Sequence, residues 1–472
     1  MTQSLSAAAL AAASGRVLLG DNAARSAVAG LDRLAASLPG GLHLPGTPQY
    51  DRLRRIYAAR YDFHPAAMAH CTSPDDVRAT VGFARRHRLP LAVRCGGHSY
   101  AGYGLADGGV TLDLSGLNEV SVDTASASVR VGGGALVGAV DRATAAAECA
   151  AVMGECPSVG VGGLATGGGI GLLMGKHGLA CDNLLSAQMV LADGRHVTAS
   201  ARENADLFWA IRGGGGNFGV VTEFTFRTHP VATVLGGDII FRVDDPAALM
   251  HGLRDFFPSM PDELTVFCIF TNDEHGKRIL VVQLCYCGDP DAGARVLGPL
   301  RQAGAVIADT VQPQSYFALQ SATPAEIPPS NEENRSIFVP ALDDAVIHDI
   351  SEAVSASSAD SSLWLIPLHG AVVRVPAEAT AFSARSPGIL VNVTGAWTQP
   401  SDQARAVAWT VDLAGKLEPH GRGRGNYVNI MGRENAAAVR AAYGPNYARL
   451  ARLKRKVDPS NLFSLNQNIL PA

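Results

Sequence analysis

In the stretch Arg94-Cys95-Gly96-Gly97-His98-Ser99-Tyr100-Ala101-Gly102-Tyr103-Gly104, five positions are Gly or Ser, and they bracket one histidine. The apolar run at 89–93 predicts a short buried strand directly before it. Glycine lets a backbone turn sharply and approach a ligand closely, and a run of exposed N–H groups can form a concave anion site. Arg94 adds a positive charge suited to phosphate. The pattern predicts a loop that cradles a diphosphate and places His98 beside an attached ring; the alternative is a glycine-rich surface loop with an incidental histidine.

Composition narrows the class of protein. The chain has 472 residues, 47% hydrophobic and 17% charged, which is typical of a globular enzyme with two or three domains. The net charge of -4 includes no basic excess, so we expect no nucleic-acid partner. No apolar run approaches the length of a membrane span. Residues 1–19 lack the basic start of a secretory signal, which favours a helix or mobile arm and a cytoplasmic location.

Cysteine and histidine usage indicates neither a disulfide scaffold nor a metal centre. The 8 cysteines are dispersed in apolar surroundings, and no CxxC pair is present. The 13 histidines are scattered without the HExxH spacing of a zinc site. We therefore expect no bound metal.

A second glycine-dense stretch spans Gly154 to Gly171 and contains Cys156. Two strings, at 160–165 and 214–219, match G-x-G-x-x-G/A, but a Rossmann site needs a strand before and a helix after the glycines. The first follows no clear strand, and the second leads into a strand, so a nicotinamide dinucleotide site is not favoured. What remains is a pair of glycine-rich loops, one with His98 and one with Cys156, each placing a nucleophile where backbone can touch a planar ligand.

Hydrophobic periodicity predicts an α+β protein. Before residue 232 it predicts a helix from Ser73 to about Arg88, strands at 110–114, 121–132 and 220–227, helices at 135–148 and 205–212, and a hairpin of 185–191 with 195–198. A helical pattern also covers 21–40. After residue 232 it predicts strands at 265–270, 279–287, 363–375 and 388–397, with helices near 245–257, 290–303, 340–355 and 401–417. The second group indicates an antiparallel sheet with helices on one side.

Four motifs together resemble one known family. Residues 94–104 resemble the R-S-G-G-H-S-Y-x-G-Y signature of berberine bridge enzyme-like flavin oxidases, members of the vanillyl-alcohol oxidase / p-cresol methylhydroxylase superfamily. Residues 156–163, CPSVGVGG, resemble the family's C-P-T-V-G-V-G-G anchor. Residues 206–222 and 457–469 resemble two further family motifs. The resemblance extends from about residue 60 to the end of the chain.

The resemblance implies a two-part FAD-binding domain made of residues 1–232 and 425–472, with a PCMH-type core at about 65–232. Residues 233–424 would form the substrate domain, whose sheet roofs the flavin. It also implies FAD bound covalently through His98, to the 8α carbon, and through Cys156, as a 6-S link. The residues expected to contact FAD are Arg94, Cys95, Gly96, Gly97, His98, Ser99, Tyr103, Gly104, Cys156, Val159, Gly160, Gly163, Gly167, Gly168, Val221, Tyr427 and Asn429. Loop amides and Arg94 would neutralise the diphosphate.

Tyr427 is the expected catalytic base, because Tyr427-Val428-Asn429 resembles the family's Y-x-N element. A phenol with a pKa of ~10 would need positive charge or hydrogen bonds to lower that pKa. Three positions depart from the family pattern: Ile170 replaces a tyrosine that assists the base in many relatives, Leu164 replaces a usual histidine, and Cys95 replaces a common serine.

Three side chains on the predicted strand 363–375 match no family motif. They are Trp364, His369 and Arg374, and we expect packing or surface roles for them.

The resemblance implies an FAD-dependent oxidase that takes a hydride from a carbon next to OH or N in a bulky secondary metabolite or glycoside. Val159 stands where the family admits oxygen to the flavin, so molecular oxygen would be reduced to hydrogen peroxide. The alternatives are a dehydrogenase with another electron acceptor and a flavin-binding protein without turnover. The composition is compatible with a GC-rich bacterial source and antibiotic biosynthesis. We expect a monomer or homodimer whose partners are the substrate and oxygen.

Overall fold

The computed structural model describes residues 30–472 apart from Ala359. The N-terminal helix or arm predicted for 1–19 lies outside the described residues, as does the first part of the helical pattern at 21–40. Residues 30–36 are helical. Within the described residues the strands form three sheets, and no helix there could cross a membrane.

The first sheet supports the loop that begins at Arg94. Its strand order is β1-β2-β4-β3, with β2 and β3 each parallel to β4. Ser73 caps helix α2 in a capping box with Asp76, as the sequence predicts, and Arg88 ends it in the left-handed conformation at φ 52°. The elements are β1 Leu42–His43, α1 Pro48–Leu53, β2 Ala67–His70, α2 Pro74–His87, β3 Leu91–Arg94 and β4 Val110–Asp113.

The second sheet, of order β5-β6-β10-β8-β9 with β7 beside β10, carries the second glycine-dense stretch. The prediction of one strand over 121–132 is wrong. The Asp123 carboxylate accepts hydrogen bonds from the N–H groups of Ala125 and Ser126, which closes a turn and divides the segment into a hairpin. The elements are β5 Val120–Asp123, β6 Ser128–Gly132, α3 Val137–Ala145, β7 Ala150–Ala151, α4 Val161–Gly167, α5 Met174–His177, β8 Leu184–Val190, β9 His196–Ser200, α6 Ala205–Ala210 and β10 Val220–His229.

The third sheet is antiparallel, and its strand order is β14-β11-β13-β12-β17-β18-β16, with β15 beside β11. Helices α7, α11 and α13 bury their apolar sides against one face. The elements are β11 Thr233–Arg242, α7 Pro246–Phe256, β12 Leu264–Asn272, β13 Arg278–Tyr286, α8 Pro290–Val296, α9 Gly298–Arg301, β14 Val306–Asp309, β15 Gln312–Ser315, α10 Tyr316–Gln320, β16 Glu332–Val339, α11 Asp344–Ala356, β17 Ser362–Leu368, α12 Ala371–Arg374, β18 Gly388–Ala396 and α13 Gln403–Gly421.

The predicted strand 363–375 is too long, because β17 ends at Leu368. Gly370, at φ 60°, turns the chain into α12, and a side chain there would overlap the carbonyl oxygen of Gly175. Close packing against the second sheet's loops therefore ends the strand.

The C-terminal segment returns to the second sheet. Helices α14 (Ala436–Tyr443) and α15 (Tyr447–Val457) share a core with β6 and β10, in which Tyr443 and Leu450 pack with Val129 and Phe224. The fold thus joins the N- and C-terminal segments in one unit and places the antiparallel sheet in another.

Lys454 anchors the closing motif of the chain, residues 457–469. Its side chain is fully buried and donates to Asp458 Oδ2 at 2.7 Å and to the carbonyls of Asn217 and Phe463 at 2.7 and 2.9 Å. Asp458 in turn accepts from the N–H groups of Leu462 and Phe463. One ammonium group therefore holds α15, the loop at 214–219 and the C-terminal stretch together.

Replacing Lys454 by Met should destabilise the fold by about 3–5 kcal/mol, because Asp458 would stay buried without its counter-ion. The expected result is a clearly lower melting temperature by circular dichroism. Lys456→Met, at an exposed position of the same helix, should change the free energy of unfolding by no more than about 0.5 kcal/mol. Equal melting temperatures for the two variants would contradict this account.

Candidate active site

The two glycine-rich loops meet backbone to backbone. A side chain on Gly96 would overlap the backbone nitrogen of Gly160, and one on Gly160 would overlap the nitrogen of Gly96. Val137 N–H also donates to Val159 O at 3.0 Å, which ties the second loop to helix α3. This contact brings the loops of His98 and Cys156 into one wall of a cavity of about 380 Å³.

The cavity gathers nearly all of the predicted cofactor contacts. Of the residues that we expect to contact FAD, only Gly167 and Gly168 do not line it. They lie at the end of α4, where a side chain on Gly167 would overlap the Asn429 amide and one on Gly168 would crowd the Tyr427 ring. These two glycines make room for the Asn429 and Tyr427 side chains, which line the cavity, and their own contact with the cofactor stays a prediction.

His98 is held as a neutral imidazole. Its ring stacks on Tyr57, with ring centroids 5.2 Å apart and planes 13° from parallel. The Tyr57 hydroxyl donates to Glu332 Oε2 at 3.1 Å, which anchors the stack to β16. Burial, and then the charge of Arg94, lower the pKa of His98 to about 4. At neutral pH the ring therefore keeps the free lone pair that a nucleophile needs.

Arg94 lines the cavity, but its charge is already balanced. Its Nη1 donates to Asp113 Oδ1 at 2.8 Å, and Asp113 is fully buried. The Arg94 Nε is buried without a hydrogen-bond partner among the described residues, so the expectation that Arg94 and the loop N–H groups meet a diphosphate stays a prediction.

The two loop cysteines differ in environment. Cys95 lies beneath the loops, where its thiol contacts Ala135 O at 3.6 Å and burial raises its pKa to about 11. Cys156 is half-buried in the cavity wall, with its sulfur 3.3 Å from Ser158 Oγ. Both cysteines line the cavity, and the raised pKa of Cys95 disfavours its thiolate, the form that acts as a nucleophile.

Tyr427 is buried with its oxygen among N–H donors. Its hydroxyl oxygen accepts from the backbone N–H groups of Gly169 and Ile170, both at 3.2 Å, and from Asn429 Nδ2 at 3.0 Å. Burial raises the pKa of Tyr427, and these hydrogen bonds oppose the rise. Asn429 is oriented by a second bond, to Leu164 O at 2.9 Å. Positions 164 and 170, which lack the family's usual side chains, thus act on Tyr427 through their backbones.

The free face of the third sheet covers the cavity. Trp364 and Phe267 line it, with ring centroids 6.4 Å apart, and Trp364 also packs against the adjoining hydrophobic core, as expected. Asn392 lies opposite Trp364 on the neighbouring strand, and its buried Oδ1 has no hydrogen-bond partner.

His369 and Arg374 lie away from the cavity. Arg374 Nη2 pairs with Asp262 Oδ2 at 2.6 Å on the surface, and the His369 ring lies near Gly175. The surface role expected for Arg374 agrees with this placement.

Glu155 is a cavity residue that the sequence reasoning missed. Its Oε2 is buried without a partner, and burial, followed by the like charge of Asp238, raises its pKa to about 7. The available signal was a lone acid in an otherwise apolar, glycine-rich stretch, directly before Cys156. Within the described residues no group of three or more His, Cys, Asp or Glu could hold a metal ion.

The lining fits a long, hydrogen-bonding ligand such as FAD. Gly163 and Gly216 face open space, where backbone can approach a ligand. The buried acceptors Asn466 Oδ1 and Gln467 Oε1 have no partner among the described residues and suit ring or ribose donors. Loop amides for a diphosphate and a neutral His98 complete the set.

Comparison with known proteins gives the same answer. Residues 65–200 match the family described as "FAD binding domain", and residues 426–470 match "Berberine and berberine like". The (R)-6-hydroxynicotine oxidase of Paenarthrobacter nicotinovorans is 32% identical over 92% of this chain and 97% of its own.

Solved structures share the fold. The 6-hydroxy-D-nicotine oxidase of Arthrobacter nicotinovorans superposes with a TM-score of 0.84 at 29% identity, covering 92% of this chain and 98% of that one. The xylooligosaccharide oxidase of Myceliophthora thermophila C1 does so with a TM-score of 0.83 at 26% identity, covering 94% and 99%. Fold, cavity and relatives define an FAD-dependent oxidoreductase of the oxidase type. The chain belongs to the berberine bridge enzyme-like family of PCMH-type flavoproteins.

Proposed function

We propose that the protein is an oxidase that removes a hydride from a carbon bearing OH or N in a bulky metabolite or glycoside. Residues 1–232 and 425–472 bind FAD, and residues 233–424 bind the substrate. FAD, when bound, supplies the two-electron acceptor, which molecular oxygen reoxidises with formation of hydrogen peroxide. The observation that carries the proposal is the single cavity in which both nucleophile-bearing loops, Tyr427 and the aromatic face of the third sheet meet. The cytoplasmic location and the monomeric or homodimeric state stay predictions.

His98 and Cys156 hold the flavin covalently, at the 8α carbon and at C6. The neutral His98 ring and the accessible Cys156 thiol support this, since each lines the cavity on a loop fixed by the Gly96–Gly160 contact. A ring tethered at two points keeps its position without a tight protein wall, so the substrate side of the cavity can be wide.

Tyr427 accepts the substrate proton. Three N–H donors surround its oxygen and would stabilise the phenolate form, as donors in an oxyanion hole do. Burial raises the pKa of Tyr427 and therefore favours the protonated phenol. The ionised fraction of Tyr427, and with it the rate, should rise as the pH increases.

Tyr427→Phe should lower kcat by about 10²–10⁴-fold, because the proton acceptor is lost. The increase of kcat with pH should disappear in the same variant. Stopped-flow measurement of flavin reduction under anaerobic conditions checks both. Tyr447→Phe, a tyrosine in the core beside α14, is the control and should reduce flavin at the wild-type rate. An unchanged pH profile in Tyr427→Phe would exclude Tyr427 as the base.

Denatured wild-type protein should keep its yellow colour, and mass spectrometry should find one FAD linked to two peptides. We expect His98→Ala to keep only the Cys156 link, Cys156→Ala to keep only the His98 link, and the double variant to release FAD. Cys149→Ala, a half-buried cysteine outside the cavity, should keep both links. Release of FAD from denatured wild-type protein would refute covalent attachment.

Val159→Leu should slow reoxidation of the reduced flavin by oxygen, because the added methylene fills space beside the cavity wall where Val159 lies. Anaerobic reduction by substrate should stay at its wild-type rate, which separates oxygen access from substrate oxidation. The measurement is double-mixing stopped flow. Unchanged reoxidation would remove Val159 as an oxygen gate, and slow reoxidation of the wild-type protein itself would indicate a dehydrogenase.

A further inference from the structure

Glu155 carries the one unbalanced formal charge in the described lining of the cavity. Arg94 and Glu155 are the charged residues among the lining residues. The Arg94 guanidinium pairs with the buried Asp113, whereas no cation pairs with Glu155. Glu155 is therefore the unpaired charge that the described side chains themselves contribute to the cavity.

Burial of the Glu155 carboxylate without a cation costs free energy of folding. An ionised carboxylate buried without a partner is strongly disfavoured, and Glu155 Oε2 is such an oxygen. Its neighbours supply no cation, because Asp238 has the same charge and burial raises the pKa of Tyr100 well above its usual value. An unpaired acid facing a cavity is satisfied only by something that enters the cavity.

The remaining polar and aromatic lining indicates what that ligand carries. Asn392 Oδ1, on the strand beside Trp364, is a second buried acceptor without a partner. Both groups require a hydrogen donor. The faces of Trp364 and Phe267 attract positive charge, and they lie on the sheet that covers the same cavity. Two acceptors, one negative charge and two aromatic rings suit a protonated amine better than a neutral alcohol.

We propose that Glu155 is the substrate-recognition residue of this enzyme and that it selects a cationic amine. The ammonium N–H donates to the Glu155 carboxylate, and Trp364 and Phe267 pack against the apolar part of the ligand. This inference rests on the proposed oxidase function and narrows its substrates from carbons bearing OH or N to those bearing N.

The test compares benzylamine, which is protonated near neutral pH, with benzyl alcohol, which has the same size and stays neutral. Each is titrated anaerobically into the FAD-loaded protein at pH 8, and the immediate shift of the flavin absorbance gives Kd. The wild-type protein should bind benzylammonium about tenfold or more tightly than benzyl alcohol, as expected for a charge-assisted hydrogen bond. Glu155→Gln keeps the shape of the side chain and should bring the two Kd values close together. Glu203→Gln removes an exposed carboxylate outside the cavity and should keep the preference.

The pH dependence adds a readout that a structural role would not produce. At pH 5.5 the Glu155 carboxyl is largely protonated, since its pKa is about 7, while benzylamine keeps its charge. The preference should therefore weaken at pH 5.5 in the wild-type protein and stay flat with pH in Glu155→Gln.

The stability of the folded protein should fall as the pH rises, whereas the binding preference should strengthen. A carboxyl whose pKa is raised in the folded state loses stabilisation as the pH rises from its unfolded pKa towards about 7. Glu155→Gln should thus melt at a higher temperature than the wild-type protein at pH 8.

A wild-type protein that binds benzylammonium no more tightly than benzyl alcohol would overturn the proposal. So would a Glu155→Gln variant that keeps the preference, because the charge would then lie elsewhere. Failure of the oxidase function gives a different result. In that case no compound bleaches the flavin over time or yields peroxide in air, yet the binding preference and its loss in Glu155→Gln remain.

Discussion

The contact between the backbones of Gly96 and Gly160 is the constraint on which the site depends. It leaves no room for a side chain on either residue, and it fixes the separation of two loops that belong to different sheets. His98 and Cys156 take their places on one wall because these loops cannot move apart without losing the contact. Cys95 packs against Gly160, and burial raises the pKa of its thiol to about 11. The glycines of both motifs therefore allow the two loops to pack closely, and this packing places the residues that face the cofactor.

The opposite side of the site depends on polar groups that are buried and satisfied by backbone. Tyr427 is placed by the N–H groups of Gly169 and Ile170 and by Asn429, and the closing motif is held by the Lys454 ammonium. Such networks are rigid because each lost partner leaves a buried group unpaired. Glu155 Oε2 and Asn392 Oδ1 are among the buried polar atoms that have no partner in the described residues, and such atoms cost stability where they occur.

Much of the fold follows from local sequence. The capped helix from Pro74, the hairpin around residue 193 and the strands of the third sheet were predictable because periodicity and capping act over a few residues. The errors have equally specific causes. A side-chain turn at Asp123 divides one predicted strand, and the approach of Gly370 to Gly175 ends another. The hydrophobic pattern of the sequence indicates neither the hydrogen bonds of this turn nor the contact between Gly370 and Gly175.

The family, the FAD cofactor and the two glycine-rich loops follow from local sequence, because the motifs that surround His98 and Cys156 need particular residues at fixed spacing. The pairing of charges depends on the folded chain. Arg94 pairs with Asp113, nineteen positions later, across adjacent parallel strands. Glu155 and Trp364 belong to segments far apart in the chain, and their joint presence in one cavity arises when the third sheet folds over the loops. Charge balance and burial depend on which residues are neighbours in space, and the linear sequence does not show those neighbours.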